Sequence, residues 1–389
     1  MNILHIGKFY PPYRGGMETY LCDLAREQVQ QGHQVSVLVH NHDWGRFSSG
    51  TAATEEAGVQ VVRLRSWRPI LFTPLMRGLN RWLKHFINTQ PVDLIHLHLP
   101  NPSLFVLLLN RSARDIPWVV SWHSDMVTDH SGGLMRLLYR LIRPLETRLL
   151  KRVSRILVST QAYADHSPVL QRHANKTHVL PLGLRTNELE QRDGDETQAS
   201  AQWAEHSWVA KGFRILHLGR LTFYKNQAML IAAMADLPDC QLQIVGDGGL
   251  RASLELAIER HQVVDRVQLA GAQSWQRIHA LYASCELFCL ASNDRAESFG
   301  VVLLEAMYHN KIILVPDTVG SGMRWLAEQY NKGFVFNNND PADFVRQVQA
   351  IQANHAAIAA RPQQFDFAMP AIAQRMAEHY LTIINRRSP

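Results

Sequence analysis

Short apolar runs alternate with amphipathic stretches along most of the chain. The runs are rich in Val, Ile and Leu and are bounded by turn-forming residues, which is typical of buried strands. In the first half the predicted strands are Ile3–Ile6, Val35–Val39, Val59–Leu64, Leu94–Leu97, Trp118–Ser121, Ile156–Ser159 and His178–Leu180. In the second half they are Arg214–Leu218, Leu242–Val245, Val267–Leu269, Leu287–Leu290, Ile312–Val315 and Gly333–Phe336. Strand, helix, strand in order predicts parallel sheets with right-handed crossovers.

The length of the chain favours two domains. A chain of 389 residues is too long for one typical hydrophobic core. We predict an α/β protein with a doubly wound Rossmann-like domain over residues 1–183, a polar interdomain segment over 184–211 and a second doubly wound domain over 212–368. Residues 369–389 are predicted to form a C-terminal helix. Packing of this helix against the first domain is one possible arrangement.

Three clusters of the second half follow predicted strands and suit one kind of ligand. Arg220 and Lys225 place two cations after the first strand, where they can bind phosphate. Gly246 begins a glycine-rich turn, IVGDGG, that lets a sugar or flat ring approach. The third cluster is Ala291–Met307. Because ligands of open α/β sheets bind at the carboxyl ends of the strands, the clusters together indicate a diphosphate attached to hydroxylated groups.

The segment Ala291–Met307 combines an anion site with two acids. The predicted strand before it ends in polar turn residues, and Ser298-Phe299-Gly300 follows, where a helix starts and free N–H groups would attract phosphate. Since carboxylates repel phosphate, Glu297 and Glu305 are expected to accept hydrogen bonds from sugar hydroxyls. By itself the segment also fits a capped surface helix with two solvated acids.

The net charge of +6 is concentrated in the first half. Residues 1–183 carry 21 Lys and Arg against 12 Asp and Glu, whereas the remainder carries 19 against 22. A basic half suggests an anionic partner, either nucleic acid or a membrane surface, or else uneven surface charge without a partner. Nucleic-acid binding would show aromatic residues interleaved with basic ones or a known motif, and the sequence shows neither.

Residues 134–155 combine a Leu/Ile stripe with seven basic side chains: Arg136, Arg140, Arg143, Arg148, Lys151, Arg152 and Arg155. Basic amphipathic helices lie on anionic membranes, but the same pattern also suits a helix that covers the sheet with its basic face in water. Pro144 is expected to divide the run into two helices. A second basic stretch, Arg77–His85, adds to the membrane hypothesis.

The remaining composition suggests a cytoplasmic setting, with peripheral binding at the inner face of the cytoplasmic membrane as a further option. The first residues, MNILHIGKFYPP, lack the features of a signal peptide, and the apolar runs are too short to span a bilayer. The four cysteines have neither a disulfide framework nor metal-ligand spacing. Asp193-Gly194-Asp195 resembles a metal-binding Asp-x-Asp pattern, but it has no flanking strand and we interpret it as a chance match.

GRLTFYKN, IVGDGG and ESFGVVLLEAM, in that order, resemble the retaining glycosyltransferases of family 4. The loop before ETYL and the GHQVSVL strand resemble the same family, so the resemblance covers nearly the whole chain. It implies the GT-B fold, in which two Rossmann-like domains face each other across a cleft. It also implies a nucleotide-sugar donor and no metal or other cofactor.

The resemblance also implies roles for individual residues. Arg220 and Lys225 would bind the donor phosphates, together with the backbone at Gly300 and Val301. The transferred sugar would meet Glu297, Ser298 and Phe299, and the ribose and base would meet Glu305, Gly246 and Gly271. Gly15 and Gly16 would close over the phosphates from the first domain.

Trp122-His123-Ser124-Asp125 follows a predicted strand of the first half. VVSWHSDMV resembles a bacterial subgroup of the family that builds O-antigen and capsule chains, often from GDP-mannose. The resemblance implies that His123 lies near the anomeric carbon and the attacking hydroxyl, supported by Asp125. Asn310 and the stretch LVPDTVGSG depart from the family pattern near the donor sugar, which leaves the identity of that sugar open.

These observations predict the transfer of a hexose to a hydroxyl of a glycan or polyprenyl-linked glycan with retention of configuration, and mannose from GDP-mannose is the first choice. A UDP-sugar donor and a nucleotide-sugar epimerase are the alternatives. Double displacement needs two carboxylates about 5 Å apart. Since no nucleophile facing Glu297 is evident in the first half, we expect front-face attack assisted by the leaving diphosphate.

Overall fold

The chain folds into two compact units. The computed structural model describes residues 1–13, 15–41, 51–66, 74–126, 132–186, 195–209 and 211–386. One unit comprises Met1–Arg185 and Phe367–Pro389, and the other comprises Thr186–Asp366. None of the helices in the described ranges is long and apolar enough to cross a membrane.

Unit 1 is built on an eight-stranded sheet with the order β3-β4-β2-β1-β5-β6-β7-β8. All neighbouring strands are parallel except β3 and β4. The strands are β1 (Asn2–Ile6), β2 (Gln34–His40), β3 (Ala52–Glu56), β4 (Val59–Leu64), β5 (Leu94–Leu99), β6 (Trp118–Trp122), β7 (Arg155–Val158) and β8 (Thr177–Val179).

Unit 2 contains a six-stranded parallel sheet with the order β11-β10-β9-β12-β13-β14. Its strands are β9 (Phe213–Leu218), β10 (Cys240–Val245), β11 (Val267–Gly271), β12 (Leu287–Cys289), β13 (Ile312–Pro316) and β14 (Gly333–Phe336). The prediction of two doubly wound parallel-sheet domains is confirmed.

Helices connect the strands and cover both sheets. In chain order they are α1 (Gly16–Gln30), α2 (Leu79–Thr89), α3 (Gly133–Arg152), α4 (Gln161–His166), α5 (Pro168–Gln171), α6 (Asp195–Ser207), α7 (Gln227–Ala233), α8 (Arg251–Arg260), α9 (Trp275–Ser284), α10 (Val301–Tyr308), α11 (Gly322–Gln329), α12 (Pro341–Ala353), α13 (His355–Ala359) and α14 (Met369–Asn385). The 3₁₀ helices are Pro102–Leu109, Ala174–Lys176, Phe223–Lys225 and Met234–Asp236.

The C-terminal helix α14 belongs to unit 1. Its buried face shares a core with residues of β1, β5 and β6 on one side of the sheet. The shared core includes Ile3, Leu94, Ile372, Met376 and Tyr380. The chain therefore returns after unit 2 to complete the unit in which it began.

The edge strand β3 was missed by the sequence analysis. Its sequence, AATEE, offers no apolar face, and its residues are almost entirely exposed. Ala57 and Gly58, both with positive φ, form the tight turn into β4, and this turn makes the pair antiparallel. Charged side chains at a sheet edge also protect it from pairing with other strands.

The expected break at Pro144 is wrong, because α3 is one helix with Pro144 inside it. Pro144 is exposed, so the hydrogen bond that it cannot make faces solvent, where water can satisfy the carbonyl of Arg140. The second half of the helix is anchored by the buried Glu146, Leu149 and Leu150.

The polar segment 184–211 contains helix α6, which belongs to unit 2 rather than to a linker. Ala204 and the following Trp208 are buried, and the Trp208 indole N–H donates to Ser284 Oγ at 3.0 Å. The Arg277 guanidinium also lies 4.5 Å from the ring centroid of Trp203. Asp193 and Gly194 of the Asp-x-Asp pattern lie outside the described residues.

Candidate functional site

The loops that follow β9, β10 and β12 meet at the carboxyl edge of the unit 2 sheet. The Leu221 N–H donates to the Asp247 carbonyl at 3.0 Å, which joins the first loop to the second. The Asn293 N–H donates to the Tyr224 carbonyl at 2.9 Å, which joins the first loop to the third. The three sequence clusters therefore form one continuous surface.

The glycine turn after β10 is packed backbone against backbone. Gly246 has φ +136°, and a Cβ there would lie 2.1 Å from the Gly219 carbonyl oxygen. A Cβ on Gly248 would lie 2.3 Å from the Leu221 carbonyl oxygen. Gly271, at φ +69°, accepts a 2.9 Å hydrogen bond from the Gly246 N–H through its carbonyl, so it lies on the same edge. Side chains at Gly246 and Gly248 would push the first two loops apart.

Lys225 and Glu297 form an ion pair within this surface. Lys225 Nζ donates to Glu297 Oε2, and the two side chains are only 9% and 15% exposed. Ser292 Oγ lies 3.5 Å from the same carboxylate oxygen. Lys225 was predicted to bind phosphate and Glu297 to bind sugar, and the structure places both groups at a single point.

Arg220 differs from Lys225 in being exposed at the edge of the sheet. Its carbonyl accepts a 3.0 Å hydrogen bond from the Gln227 side chain, which fixes the backbone while the guanidinium stays in solvent. A planar guanidinium in this position can bind a phosphate through two N–H groups.

Helix α10 starts at this edge with Gly300 as its N-cap, at φ +83° and ψ +63°. The turn before it is braced by the next loop, because Gly322 N–H donates to the Ser298 carbonyl and Ser321 Oγ donates to the Glu297 carbonyl. Phe299 is buried, so only its backbone is available to a ligand. Val301 opens the helix, whose first N–H groups provide partial positive charge.

Glu305 lies on the buried side of α10 and is paired with Tyr282 of α9. Tyr282 Oη is 3.0 Å from Glu305 Oε2, and it is also 3.0 Å from the Val302 carbonyl oxygen. Burial raises the pKa of Tyr282, as does the nearby carboxylate, so the phenol stays a donor. Tyr282 was not predicted from the sequence, since a contact between residues 23 positions apart has no local signal.

Unit 1 has its own glycine loop, which precedes α1. Gly15 is the N-cap of α1, and a Cβ there would lie 2.3 Å from Glu18 Oε2. A Cβ on Gly16 would meet no atom within 4 Å. Gly15 therefore leaves room for the buried Glu18 side chain, whereas Gly16 keeps the helix start open.

His123 follows β6, and its N–H donates to the Leu99 carbonyl at 3.0 Å. Its ring is buried, and His123 Nε2 lies 3.1 Å from Nδ1 of His98. His98 therefore supports the His123 ring. Asp125 accepts hydrogen bonds from the Trp122 indole at 2.9 Å and from Ser167 Oγ at 2.7 Å.

His123 is one of four buried histidines that contact one another, and we call them the histidine row: His5, His96, His98 and His123. Burial lowers the pKa of His5 and of His123 to about 4 and the pKa of His96 and His98 well below the usual range. All four rings are therefore neutral near pH 7.

Comparison with known proteins gives matches over both units. The family model of the glycosyl transferases group 1 matches residues 201–363, and that of the glycosyl transferase 4-like domain matches residues 15–183. The matched ranges contain every site residue that was predicted from the sequence.

Two curated relatives and one solved structure represent these similarities. The O-antigen chain mannosyltransferase C of Escherichia coli is 27% identical over 357 residues, which are 91% of this chain and 89% of the relative. A phosphatidyl-myo-inositol mannosyltransferase of Mycobacterium tuberculosis is 29% identical over 318 residues, which are 78% of this chain and 74% of the relative. The sucrose-phosphate synthase structure from Thermosynechococcus elongatus covers 99% of each chain with a TM-score of 0.77 at 20% identity.

A methyl group at Gly246 should open the contact between the first two loops. We expect Gly246→Ala to lower the free energy of unfolding by about 2 kcal/mol or more, because it combines a positive φ with a backbone collision. Gly249→Ala is the matched control, since a Cβ there meets no atom within 4 Å, and its effect should stay within about 0.5 kcal/mol. Urea unfolding of both variants measures the difference, and equal stabilities would contradict the close approach.

The neutral histidines should make the protein sensitive to acid. An unfolded histidine takes up its proton near pH 6.5, whereas folded His5 and His123 do so only near pH 4. Their contribution to stability is therefore complete above pH 6.5 and is lost as the pH falls toward 4, by about 1.4 kcal/mol per pH unit for each histidine.

The pH dependence can be assigned to one residue by substitution. His123→Gln removes one titrating group, so the decline in the free energy of unfolding between pH 6 and pH 5 should become shallower by about 1.4 kcal/mol. Urea titrations at both pH values test this. An unchanged decline would mean that folding does not lower the pKa of His123.

Proposed function

The chain belongs to glycosyltransferase family 4 with the GT-B fold, and we propose that it transfers mannose from GDP-mannose to a hydroxyl of a glycan or lipid-linked glycan. The product would enter a cell-surface polysaccharide such as O-antigen, capsule or exopolysaccharide. The observation that carries this proposal is the joined edge of unit 2, where a buried Lys–Glu pair, an exposed arginine and a helix start lie together. The mannosyltransferase activities named for two relatives support the choice of sugar.

The donor diphosphate is assigned to the positive side of this edge. Arg220 would bind one phosphate with its guanidinium, and the start of α10 at Gly300 and Val301 would supply N–H groups to the other. Lys225 has three N–H donors, so it can keep Glu297 and also donate to a phosphate oxygen. These protein cations take the part that a metal plays in other transferases, and we propose that the reaction needs no metal.

The sugar and the nucleoside are assigned to the carboxylates. Glu297 is held by Lys225 and keeps further lone pairs for the hydroxyls of the transferred sugar. Glu305, held by Tyr282, would accept from the ribose hydroxyls. The ring of the base would approach Gly246 and Gly271, where side chains are absent. Glycine turns and paired acids thus suit a nucleotide sugar as a whole.

We propose that the transfer retains the anomeric configuration through front-face attack. Glu297 is engaged by a lysine, which suits binding rather than nucleophilic attack on the anomeric carbon. The leaving diphosphate would take the proton of the attacking hydroxyl. Its developing negative charge would be stabilised by Arg220, Lys225 and the helix start, all in place before the reaction.

Removing the exposed arginine should slow turnover. We expect Arg220→Ala to lower kcat by about 100-fold or more, the scale of losing one donor to a developing charge. Arg346→Ala is the control, since Arg346 is exposed on α12 and pairs with Asp340 and Asp343. Release of GDP from GDP-mannose with a glycan acceptor measures the rate. Equal kcat values for Arg220→Ala and the unmodified enzyme would refute the phosphate assignment.

We also propose that helix α3 binds an anionic membrane at the cytoplasmic face, where a lipid-linked acceptor would be found. Leu134, Leu137 and Leu141 of this helix are 62%, 55% and 70% exposed, so this part of the helix does not bury its apolar stripe in the sheet. Arg136 and Arg140 are exposed beside them. Apolar side chains flanked by arginines suit the boundary between lipid headgroups and acyl chains.

A change to this face should weaken binding to vesicles. The double variant Leu141→Ser with Arg140→Gln should lose at least about tenfold in affinity for vesicles with anionic lipid, because it removes one charge and one apolar anchor. The matched control is Leu256→Ser with Arg260→Gln, a pair of the same types and exposure on α8. Co-sedimentation at low and high salt measures both, and equal binding by the two double variants would contradict the proposal.

A further inference from the structure

The histidine row lies along one face of the unit 1 sheet and leads to its carboxyl edge. His5 on β1 stands beside His96 on β5, and His98 stands beside Ser121 on β6, in the register of the parallel strands. His123 follows β6. On the same face, nearer the start of the strands, lie the apolar residues that pack against α1 and α14. The row therefore runs from a helix-covered core toward the edge where ligands bind.

Two helices hold the inner end of the row. His5 Nε2 lies 2.7 Å from Oε1 of Gln28 on α1. The amide nitrogen of Gln28 faces α14, at 3.4 Å from Tyr380 Oη and 3.9 Å from Met376 Sδ. Tyr380 Oη also lies 2.5 Å from His96 Nδ1. The inner end is thus held by hydrogen bonds among side chains of α1, α14, β1 and β5.

His5, His96 and His98 are close enough together to suggest a metal site, but their nitrogens are already used. Ligand atoms of the three rings lie within 4.8 Å of one another. His5 contacts Gln28 and His98, and His98 contacts His5 and His123. His96 contacts Tyr380 and Ser121. Because each of the six ring nitrogens has a hydrogen-bond partner, the row is better explained as a network than as a metal site.

The orientation of Gln28 sets the direction of the network. Met376 Sδ can only accept, so the Gln28 amide nitrogen faces α14 and its oxygen faces His5. An amide oxygen can only accept, so the proton of the His5 ring must be on Nε2. A neutral ring carries one proton, which leaves Nδ1 of His5 as an acceptor.

The donor and acceptor roles of each ring then fix those of the next. His5 Nδ1 accepts across 3.1 Å from His98 Nε2, so His98 Nδ1 is bare. His98 Nδ1 accepts across 3.1 Å from His123 Nε2, so His123 Nδ1 is bare as well. Burial keeps the pKa of each of the three rings below its usual value, which is why one proton per ring applies near pH 7.

We propose that Gln28, His5 and His98 are positioning residues that hold His123 in the Nε2–H tautomer, with its Nδ1 lone pair as the acceptor for a substrate hydroxyl. Among the described residues, none is hydrogen-bonded to this Nδ1. A hydroxyl of the sugar donor or of the acceptor glycan is the chemical group that such a lone pair recognises. The substrate part of this inference depends on the proposed transferase function, whereas the tautomer does not.

A fixed acceptor favours substrates that carry a hydroxyl at one position. A site built to hydrogen-bond a hydroxyl rejects analogues without it far more strongly than an apolar pocket rejects an extra group. In the opposite tautomer Nδ1 would carry a proton, so it could donate to the hydroxyl oxygen but could not accept the hydroxyl proton. The direction of the network therefore bears on selectivity and on the orientation of the bound hydroxyl.

The tautomer can be measured without any substrate. In the full chain labelled with ¹⁵N-histidine, the ¹⁵N shifts of His123 should show a protonated Nε2 and a bare Nδ1, with a ¹⁵N–¹⁵N coupling across the hydrogen bond to His98. Loss of the signals in His123→Gln assigns them. A protonated Nδ1 on His123 or on His98, or a charged ring at pH 7, would overturn the proposal.

Two substitutions at His98 test the effect on catalysis. The side-chain oxygen of His98→Asn can replace Nδ1 as the acceptor for His123 Nε2, whereas His98→Phe removes that acceptor and keeps an aromatic ring. We expect His98→Phe to give mixed tautomers of His123 and to lower kcat at least tenfold, with KM for the nucleotide sugar changed by less than twofold. His98→Asn should restore the Nε2–H tautomer and most of kcat.

These outcomes separate the positioning role from the transferase function. If His98→Phe changes the tautomer but kcat stays the same, the lone pair does not act on the substrate and the positioning role is refuted. If His98→Phe fails to fold, the spectrum of the unmodified chain and the kcat of His98→Asn still decide the proposal. If no nucleotide sugar is consumed by the unmodified chain, the proposed function fails while the tautomer measurement remains valid.

Discussion

Ionisable side chains that are buried near the carboxyl ends of the strands must each be paired or be neutral. The candidate site depends on which of these two solutions each side chain adopts. In unit 2 the requirement is met by pairing, with Lys225 on Glu297 and Tyr282 on Glu305. In unit 1 it is met by neutrality, since the histidine row carries no charge near pH 7. Both solutions fix the polar groups before a ligand binds, which is the condition for electrostatic stabilisation without reorganisation.

The fold could be predicted from the sequence because its strands are buried on both faces. Buried parallel strands such as Ile312–Pro316 are continuous apolar runs, and few other elements have that pattern. The predictions failed where residues are exposed, or where they are buried by parts of the chain that are distant in sequence. The β3 strand has polar residues on both faces, and Pro144 is tolerated because it faces water. Helix α6 was missed because it packs against the distant helix α9, where Arg277 lies over the ring of Trp203.

Residues of the candidate site were predictable where one strand and its own loop place them. Gly246 directly follows β10, and Arg220 and Glu297 lie in the loops after β9 and β12, so their position at the sheet edge follows from local sequence. The partners of these residues are remote, as with Lys225 and Glu297, which are 72 residues apart. One remote partner did leave a signal. His96 and His98 alternate in IHLHL, a period of two that puts both on one face of a strand.

The Lys225–Glu297 pair also determines how the roles of its two members can be separated. Removing the lysine leaves a largely buried carboxylate without its cation, which costs stability and distorts the loop whether or not phosphate binds there. A loss of activity on removing Lys225 would therefore have two explanations. Arg220 is exposed, and only its backbone takes part in fixing the loop, so its side chain can be removed without leaving a buried charge. Of the two cations, Arg220 is the one whose removal reports on the ligand alone.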